Sequence, residues 1–319
     1  IGGAGGTGLR LHAQTTAITV INDNGAEIGN AGGVTERAIV SEGNAALSLT
    51  NRGTISGSIQ APRGRIDNFG GMLNAGPVLN MGATGLVVNA AGFAPHGRGQ
   101  IGETQMTGNF RQTSAGVFYL DVAGRTGGIT TDTFKISGTA ELRGRVQAEL
   151  IPGTVLPPGT HTSTFLTAAS VTRPVAGEPG LTPPSGTLNT TWALLYPNNQ
   201  EVQLRMTLTT TAPSAPLSAN QRSVAGALGR AATANPQGFA PLAASVYGAN
   251  DAQAYGQQMS SMGGDGGMAG QFAARGASAQ FMQGMVARMD QIQRSEAAGF
   301  APSASLAPSP LRLGRRRRR

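Results

Sequence analysis

The residues best suited to acid–base or metal chemistry are three histidines, His12, His96 and His161. None stands at metal-ligand spacing from a second ligand. Each falls in a Gly/Pro-rich or Thr-rich stretch that reads as a surface loop. There is no cysteine, which excludes disulfides and thiolate metal sites. No Gly-x-Ser-x-Gly elbow or Gly-Asp-Ser-Gly protease signature is present. The run Gly2-Gly3-Ala4-Gly5-Gly6-Thr7-Gly8 lacks the lysine and the helix of a phosphate-binding loop, so its glycines read as turn residues. The sequence therefore assigns no catalytic, cofactor-binding or metal-binding residue, and the expectation is a chain that is not an enzyme and needs no cofactor.

The charged residues point the same way. Asp67, Asp121 and Asp132 are scattered along the chain rather than paired on one face, as an acid-dependent carbohydrate lyase or hydrolase would need. Arg63 with Arg65, and Arg143 with Arg145, stand two apart, and in a strand such pairs share a face. They are candidates to line an outer groove for acidic glycans, against the simpler reading of a solvated face. Five of the eight net positive charges belong to the terminal run Arg315–Arg319, and Lys135 is the only lysine. No aromatic or folded basic segment accompanies that run, so no nucleic-acid partner is expected.

The elements around these residues are read from punctuation. The 48 glycines interrupt short apolar, β-branched runs through residue 210, a pattern of many short strands and frequent turns. Over residues 1–100 an irregular repeat places an apolar residue before an asparagine, then a glycine, then another apolar residue. Asn51 and Gly53, Asn68 and Gly70, and Asn80 and Gly82 mark it. Asparagine and glycine suit corners that need left-handed backbone angles, and stacked asparagines can bond to the turns above and below. A repeat of this kind indicates a solenoid, here a right-handed parallel β-helix. A β-sandwich built on Asn-Gly hairpins is the alternative.

Residues 101–210 change character. Their strands lengthen and alternate, Leu142, Val146, Ala148 and Leu150 read as one strand face, and a hairpin runs from Trp192 through Pro197–Gln200 to Leu208. This region is expected to cap the solenoid, with Phe110, Phe118, Phe134, Trp192, Leu194 and Tyr196 as its core. Residues 211–298 read as a short α-helical linker. Ser218-Ala219-Asn220-Gln221 is a capping box, and Tyr255, Met259 and Met262 fall at helical spacing. Residues 299–319 read as a disordered, arginine-rich tail. No window of about 18 apolar residues suggests a membrane-crossing helix.

Two segments carry a family likeness. Thr107-Gly108-Asn109-Phe110-Arg111-Gln112-Thr113-Ser114-Ala115-Gly116 with Leu120-Asp121-Val122, and Thr131-Asp132-Thr133-Phe134-Lys135-Ile136-Ser137-Gly138-Thr139-Ala140-Glu141-Leu142-Arg143-Gly144, resemble the end of autotransporter (type V secretion) passengers of the pertactin type. Leu217–Ala225 looks like the start of that family's linker. Phe281, Met285, Arg288 and Met289 look like the helix that threads its barrel pore. The likeness covers about residues 50–295, and departs from the family where Met259-Ser260-Ser261-Met262-Gly263-Gly264-Asp265 replaces a Leu-Ser-Gly-Glu turn. The resemblance implies a non-catalytic passenger segment with an autochaperone region. It would act in self-templated folding during outer-membrane secretion and surface display, and would be adhesin-like. The implied partners are an outer-membrane β-barrel and its assembly machinery, and host or matrix glycans or proteins. The implied setting is the cell surface or outer membrane of a Gram-negative bacterium, or its medium, with the chain a monomer. The stretch after Arg294 is too short for a barrel of about eight strands, so the chain reads as a fragment or truncated product without its barrel.

Overall fold

The computed structural model describes residues 6–125, 128–151, 156–172 and 180–264. The chain divides after Met259 into two units, the first of which holds every described strand. The expected pore helix with Phe281, Met285, Arg288 and Met289, and the arginine-rich tail, lie outside the described residues.

The protein is mainly β. Twenty strands among the described residues join one hydrogen-bonded sheet, with three helices after them. Up to Thr182 the pairing is parallel except for one hairpin, and the strands fall into three ladders that the chain visits in turn. The first ladder stacks β1 (Thr7–His12), β4 (Arg37–Glu42), the second halves of β6 (Thr54–Gln60) and β8 (Met72–Asn80), β11 (Glu103–Thr107), the first half of β15 (Thr133–Leu142) and β17 (Gly159–Thr172). The second stacks β2 (Ile18–Asn22), β5 (Leu47–Asn51), β7 (Gly64–Asn68), β9 (Leu86–Asn89), β12 (Asn109–Gln112) and the second half of β15. The third stacks β3 (Glu27–Gly29), the first halves of β6 and β8, β10 (Gly92–Pro95), β13 (Val117–Arg125), β16 (Gly144–Leu150) and β18 (Leu181–Thr182). The ladders cross residue 100 without a break, since β8 pairs β11 and β9 pairs β12.

The register explains the apolar punctuation. Each ladder aligns one apolar position per strand, and these positions pile into three rows. Ile39, Ile59, Leu79, Met106 and Ile136 form one row. Leu49, Ile66, Val87, Phe110 and Ala140 form the second. Ile55, Leu73, Phe93, Phe118 and Val146 form the third. All fifteen side chains are buried in one core. A single three- to five-residue strand cannot bury its apolar face alone, so burial comes from the neighbours above and below.

The second ladder carries a polar row as well. Asn22 Nδ2 donates to Asn51 Oδ1 at 2.8 Å, Asn51 to Asn68 at 2.7 Å, Asn68 to Asn89 at 2.8 Å and Asn89 to Gln112 Oε1 at 3.1 Å. The Asn22, Asn51 and Asn68 amides each donate a second time, to the carbonyls of Thr54, Met72 and Gly92. All five side chains are buried.

The vertical bonding expected of stacked asparagines is present at Asn51 and Asn68, and the left-handed corner angle also expected of them is not. Among the described residues only His96 and Ala212 combine a side chain with a left-handed backbone angle. Asn51 and Asn68 end strands and bond vertically. Asn80 belongs to another ladder, where its Oδ1 accepts the Gly82 amide at 3.0 Å. Gly82 has φ +78° and a Cβ there would lie 1.8 Å from the Pro62 carbonyl oxygen, whereas Gly70 has φ +110° with open space around it. Gly53 has no left-handed angle. It is needed for space, since a Cβ would lie 2.2 Å from Ala26 O. The strand expected from Leu142 to Leu150 is two strands, divided at Gly144 (φ +78°), and Leu150 is exposed.

The helices follow local signals. α1 (Ala219–Ala234) opens with the expected capping box, Ser218 accepting the Gln221 amide while the Gln221 side chain accepts from Ser218 N. α2 (Pro236–Tyr247) starts at Asn235, with proline at its first position, and α3 (Ala252–Gly263) buries Tyr255 and Met259.

Replacing a mid-row amide leaves buried donors and acceptors unpaired on both sides. Asn68→Ala is expected to lower the unfolding free energy by about 2–3 kcal/mol, whereas Asn80→Ala, which removes one local turn bond, should cost under about 1 kcal/mol. Urea denaturation of the two variants checks this, and equal losses would refute it.

Candidate functional site at the closing end of the ladders

The ladders end differently from how they begin. Toward the C-terminal end the core turns aromatic. Phe93, Phe110, Phe118 and Phe134 pack with ring centroids 4.9–6.5 Å apart, and Phe165 joins Phe118 at 5.5 Å. The parallel order then stops. β20 (Glu201–Leu208) runs antiparallel to β17 along its open edge, and β19 (Thr190–Leu195) runs antiparallel to β20. Val202, Leu204, Met206 and Leu208 are buried beneath this closure. The hairpin expected from Trp192 to Leu208 is thus present. Of the expected cap core, Phe110, Phe118 and Phe134 are fully buried, while Trp192, Leu194 and Tyr196 are only half-buried because β19 is the outer strand.

A polar seam holds the helices to this end. Buried Asn189 donates to Val246 O at 2.8 Å and accepts from Ala212 N at 2.7 Å. The hydroxyls of Thr187 and Thr190 both donate to Tyr247 O, at 2.5 and 3.0 Å. Tyr255 donates to Thr210 O, Thr210 donates to Ala225 O at 2.6 Å, and Tyr247 donates to Leu156 O at 3.0 Å. Burial raises both phenols, Tyr247 to about 12 with some help from Tyr255, so each remains a protonated donor.

Beside the aromatic core, two carboxyl groups fasten the loop that joins β10 to β11. β14 (Gly128–Thr131) folds back antiparallel on β13 and brings Asp132 to Asp121. Asp132 Oδ2 accepts Asp121 N at 3.0 Å and its Oδ1 accepts Gly102 N at 2.9 Å, while Asp121 Oδ2 accepts Gln100 N at 2.9 Å. The loop is fixed further by Arg98, which bonds Glu149 and lies 4.6 Å over the Tyr119 ring, and by Thr104, whose hydroxyl accepts His96 N at 2.8 Å. Burial, and secondarily the Asp121 charge, raise the Asp132 carboxyl to about 7 against the opposing pull of its two amide bonds. Asp121 is also raised, chiefly by burial. These acids are therefore not scattered, as the sequence suggests. Asp67 is the separate one, bound to Arg65 at 2.7 Å.

The other polar candidates do not converge. His12 lies near Glu42 and Gln14, and His161 reaches the Pro157 carbonyl. Arg63 bonds Asn44, Arg65 bonds Asp67 and Arg143 bonds Glu141. Arg143 and Arg145 do not share a strand face, because the chain turns at Gly144 between two ladders. Among the described residues no three His, Cys, Asp or Glu side chains are grouped to hold a metal, and no helix is long and apolar enough to cross a membrane. The geometry is thus that of a closed sheet end with a latched loop. Set against known proteins, the chain matches no family model and no curated protein.

Because Asp132 holds its proton more tightly when folded than unfolded, the folded state loses relative stability as pH rises from the ordinary carboxylate range through about 7. The urea midpoint is expected to be lower at pH 8 than at pH 5.5, and Asp132→Asn should flatten that slope. A wild-type midpoint that rises over the same interval would contradict the buried acid.

Proposed function

We propose that this chain is the membrane-proximal segment of an autotransporter passenger, a right-handed parallel β-helix whose closing end serves as the template on which the upstream coils fold during outer-membrane secretion. The single observation that carries the reading is the asymmetry of the ladders. At one end β20 and β19 cover the last parallel strand over an aromatic core, with helices fastened behind them. At the other, β1, β2 and β3 each have one parallel partner among the described residues. Three in-register ladders with mostly nearest-neighbour contacts support the β-helix assignment, and the segments Thr107–Gly116 with Leu120–Val122, and Thr131–Gly144, support the passenger assignment.

In this scheme the passenger leaves the cell unfolded, with its C-terminal end available first. That end folds on long antiparallel pairings and offers the edges of β16 and β17 to the chain that follows. Each added coil completes one step of the amide row and one layer of each apolar row, so growth is favourable stepwise and moves outward. Folding outside biases transport in one direction without a nucleotide. The partners are then an outer-membrane β-barrel and its assembly machinery, and the setting is the Gram-negative cell surface. The chain acts here as a monomeric, non-catalytic structural element.

The scheme makes the closing end the folding nucleus. Conservative truncations there, Leu204→Ala and Phe165→Ala, are expected to slow refolding nearly in full proportion to the stability they remove. Leu49→Ala in β5 should mainly speed unfolding. Stopped-flow folding and unfolding of the three variants decides between the ends, and a Leu49→Ala variant that slows folding most would overturn the template direction. Deleting residues 101–210 should leave the upstream part protease-sensitive.

A further inference from the structure

The surface where the third ladder ends holds a feature the secretion scheme does not use. Two shallow depressions, of about 330 and 400 Å³, adjoin at Arg145 and Thr182, which line both, and are treated together as one groove. Three glycines, Gly116, Gly144 and Gly180, form part of one half, which leaves backbone rather than side chains at the surface. The other half runs past Gln147 and Ser185 to Trp192. Among the described residues Arg145 is the only charged side chain lining either half.

Several cations of the sheet surface, Arg10, Arg65, Arg98, Arg111, Lys135 and Arg143, are paired with acids, while Arg37, Arg63 and Arg205, like Arg145, have no ion pair among the described residues. Arg145 is exposed and has no acidic partner among the described residues. The groove thus joins a guanidinium that has no acidic partner among the described residues, and whose planar fork suits carboxylate or sulfate, to hydroxyl and amide groups and to a partly buried indole. One wall is Pro183-Pro184, which supplies no backbone N–H and so cannot pair with an added peptide strand.

We propose that this groove binds an acidic oligosaccharide, with Arg145 pairing its carboxylate or sulfate and Trp192 stacking on the apolar face of a sugar ring. Such a ligand is polar enough for the hydroxyl lining, flat enough for the glycine surface, and carries an anionic group for Arg145. Neither side chain takes part in the amide row, and Arg145 lies outside the antiparallel closure, whereas Trp192 also packs partly against the core beneath it.

The test uses the full chain, in which Trp192 is the only tryptophan, so intrinsic fluorescence reports directly on the groove. The probes are a galacturonate tetrasaccharide and a heparin-derived tetrasaccharide, with cellotetraose as the neutral control and an extended acidic peptide as the competing class. Saturable change is expected with at least one acidic saccharide, weakening with salt, and little with cellotetraose or the peptide. Arg145→Gln should reduce affinity at least tenfold, with Arg145→Lys retaining part of it. An unchanged circular dichroism spectrum and melting curve would show that the loss is not unfolding. Silence with both acidic saccharides at millimolar concentration, an equal response from Arg145→Gln, or preference for the peptide would each overturn the proposal.

Discussion

A buried primary amide has two donors and an acceptor to satisfy, and a stack of such amides satisfies itself at one alignment only. The row from Asn22 to Gln112 imposes that condition on the second ladder. The apolar rows do not. Val, Ile and Leu substitute for one another at modest cost, and a strand slipped by two residues would still point apolar groups inward. Slipping the asparagines would strand their donors among hydrocarbon. Apolar burial therefore supplies most of the stabilisation, and the amide row selects one pairing among those that burial alone would allow.

The row also has an end. After Gln112 its place in the ladder is taken by Leu142, and Gln112 passes its last donor to the Arg143 carbonyl. Near this level the core fills with phenylalanine, the β13–β14 hairpin interrupts the parallel order, and Asp121 with Asp132 fastens the loop before β11. One mode of specification thus gives way to another. Repeated vertical bonds set the earlier layers, and larger rings and long antiparallel strands set the last. Buried acids raised toward neutrality fit the second mode, because a neutral carboxyl can sit in an apolar wall while its oxygens still accept backbone amides.

What was legible in the sequence was local. Ser218 and Gln221 announce the start of α1 because a capping box spans four residues, and the 192–208 hairpin shows in strict alternation around Pro197–Gln200. Asn51 and Asn68 stand out beside their glycines, and of the two roles their type suggested, the vertical bonding is present and the left-handed turn angle is not. Asn80 carries the same neighbours but falls on another ladder, since corners of unequal length hide which face a residue occupies. Gln112 escaped notice because it is one methylene longer than the residue it replaces in the row. Asp121 and Asp132 looked unrelated because their meeting depends on the pairing register of β13 with β14, which the order of residues between them does not set. Trp192, Leu194 and Tyr196 read as core because alternation marks a face, not whether that face is the outermost one.

The steps along the amide row are 29, 17, 21 and 23 residues. Contact points are conserved in space while the intervening length is not, so corners other than tight ones such as Gly53 and Gly82 can accept insertions. An extra ten residues between Asn22 and Asn51 would protrude without disturbing either. A chain built this way can diversify its outward decoration while its scaffold stays the same.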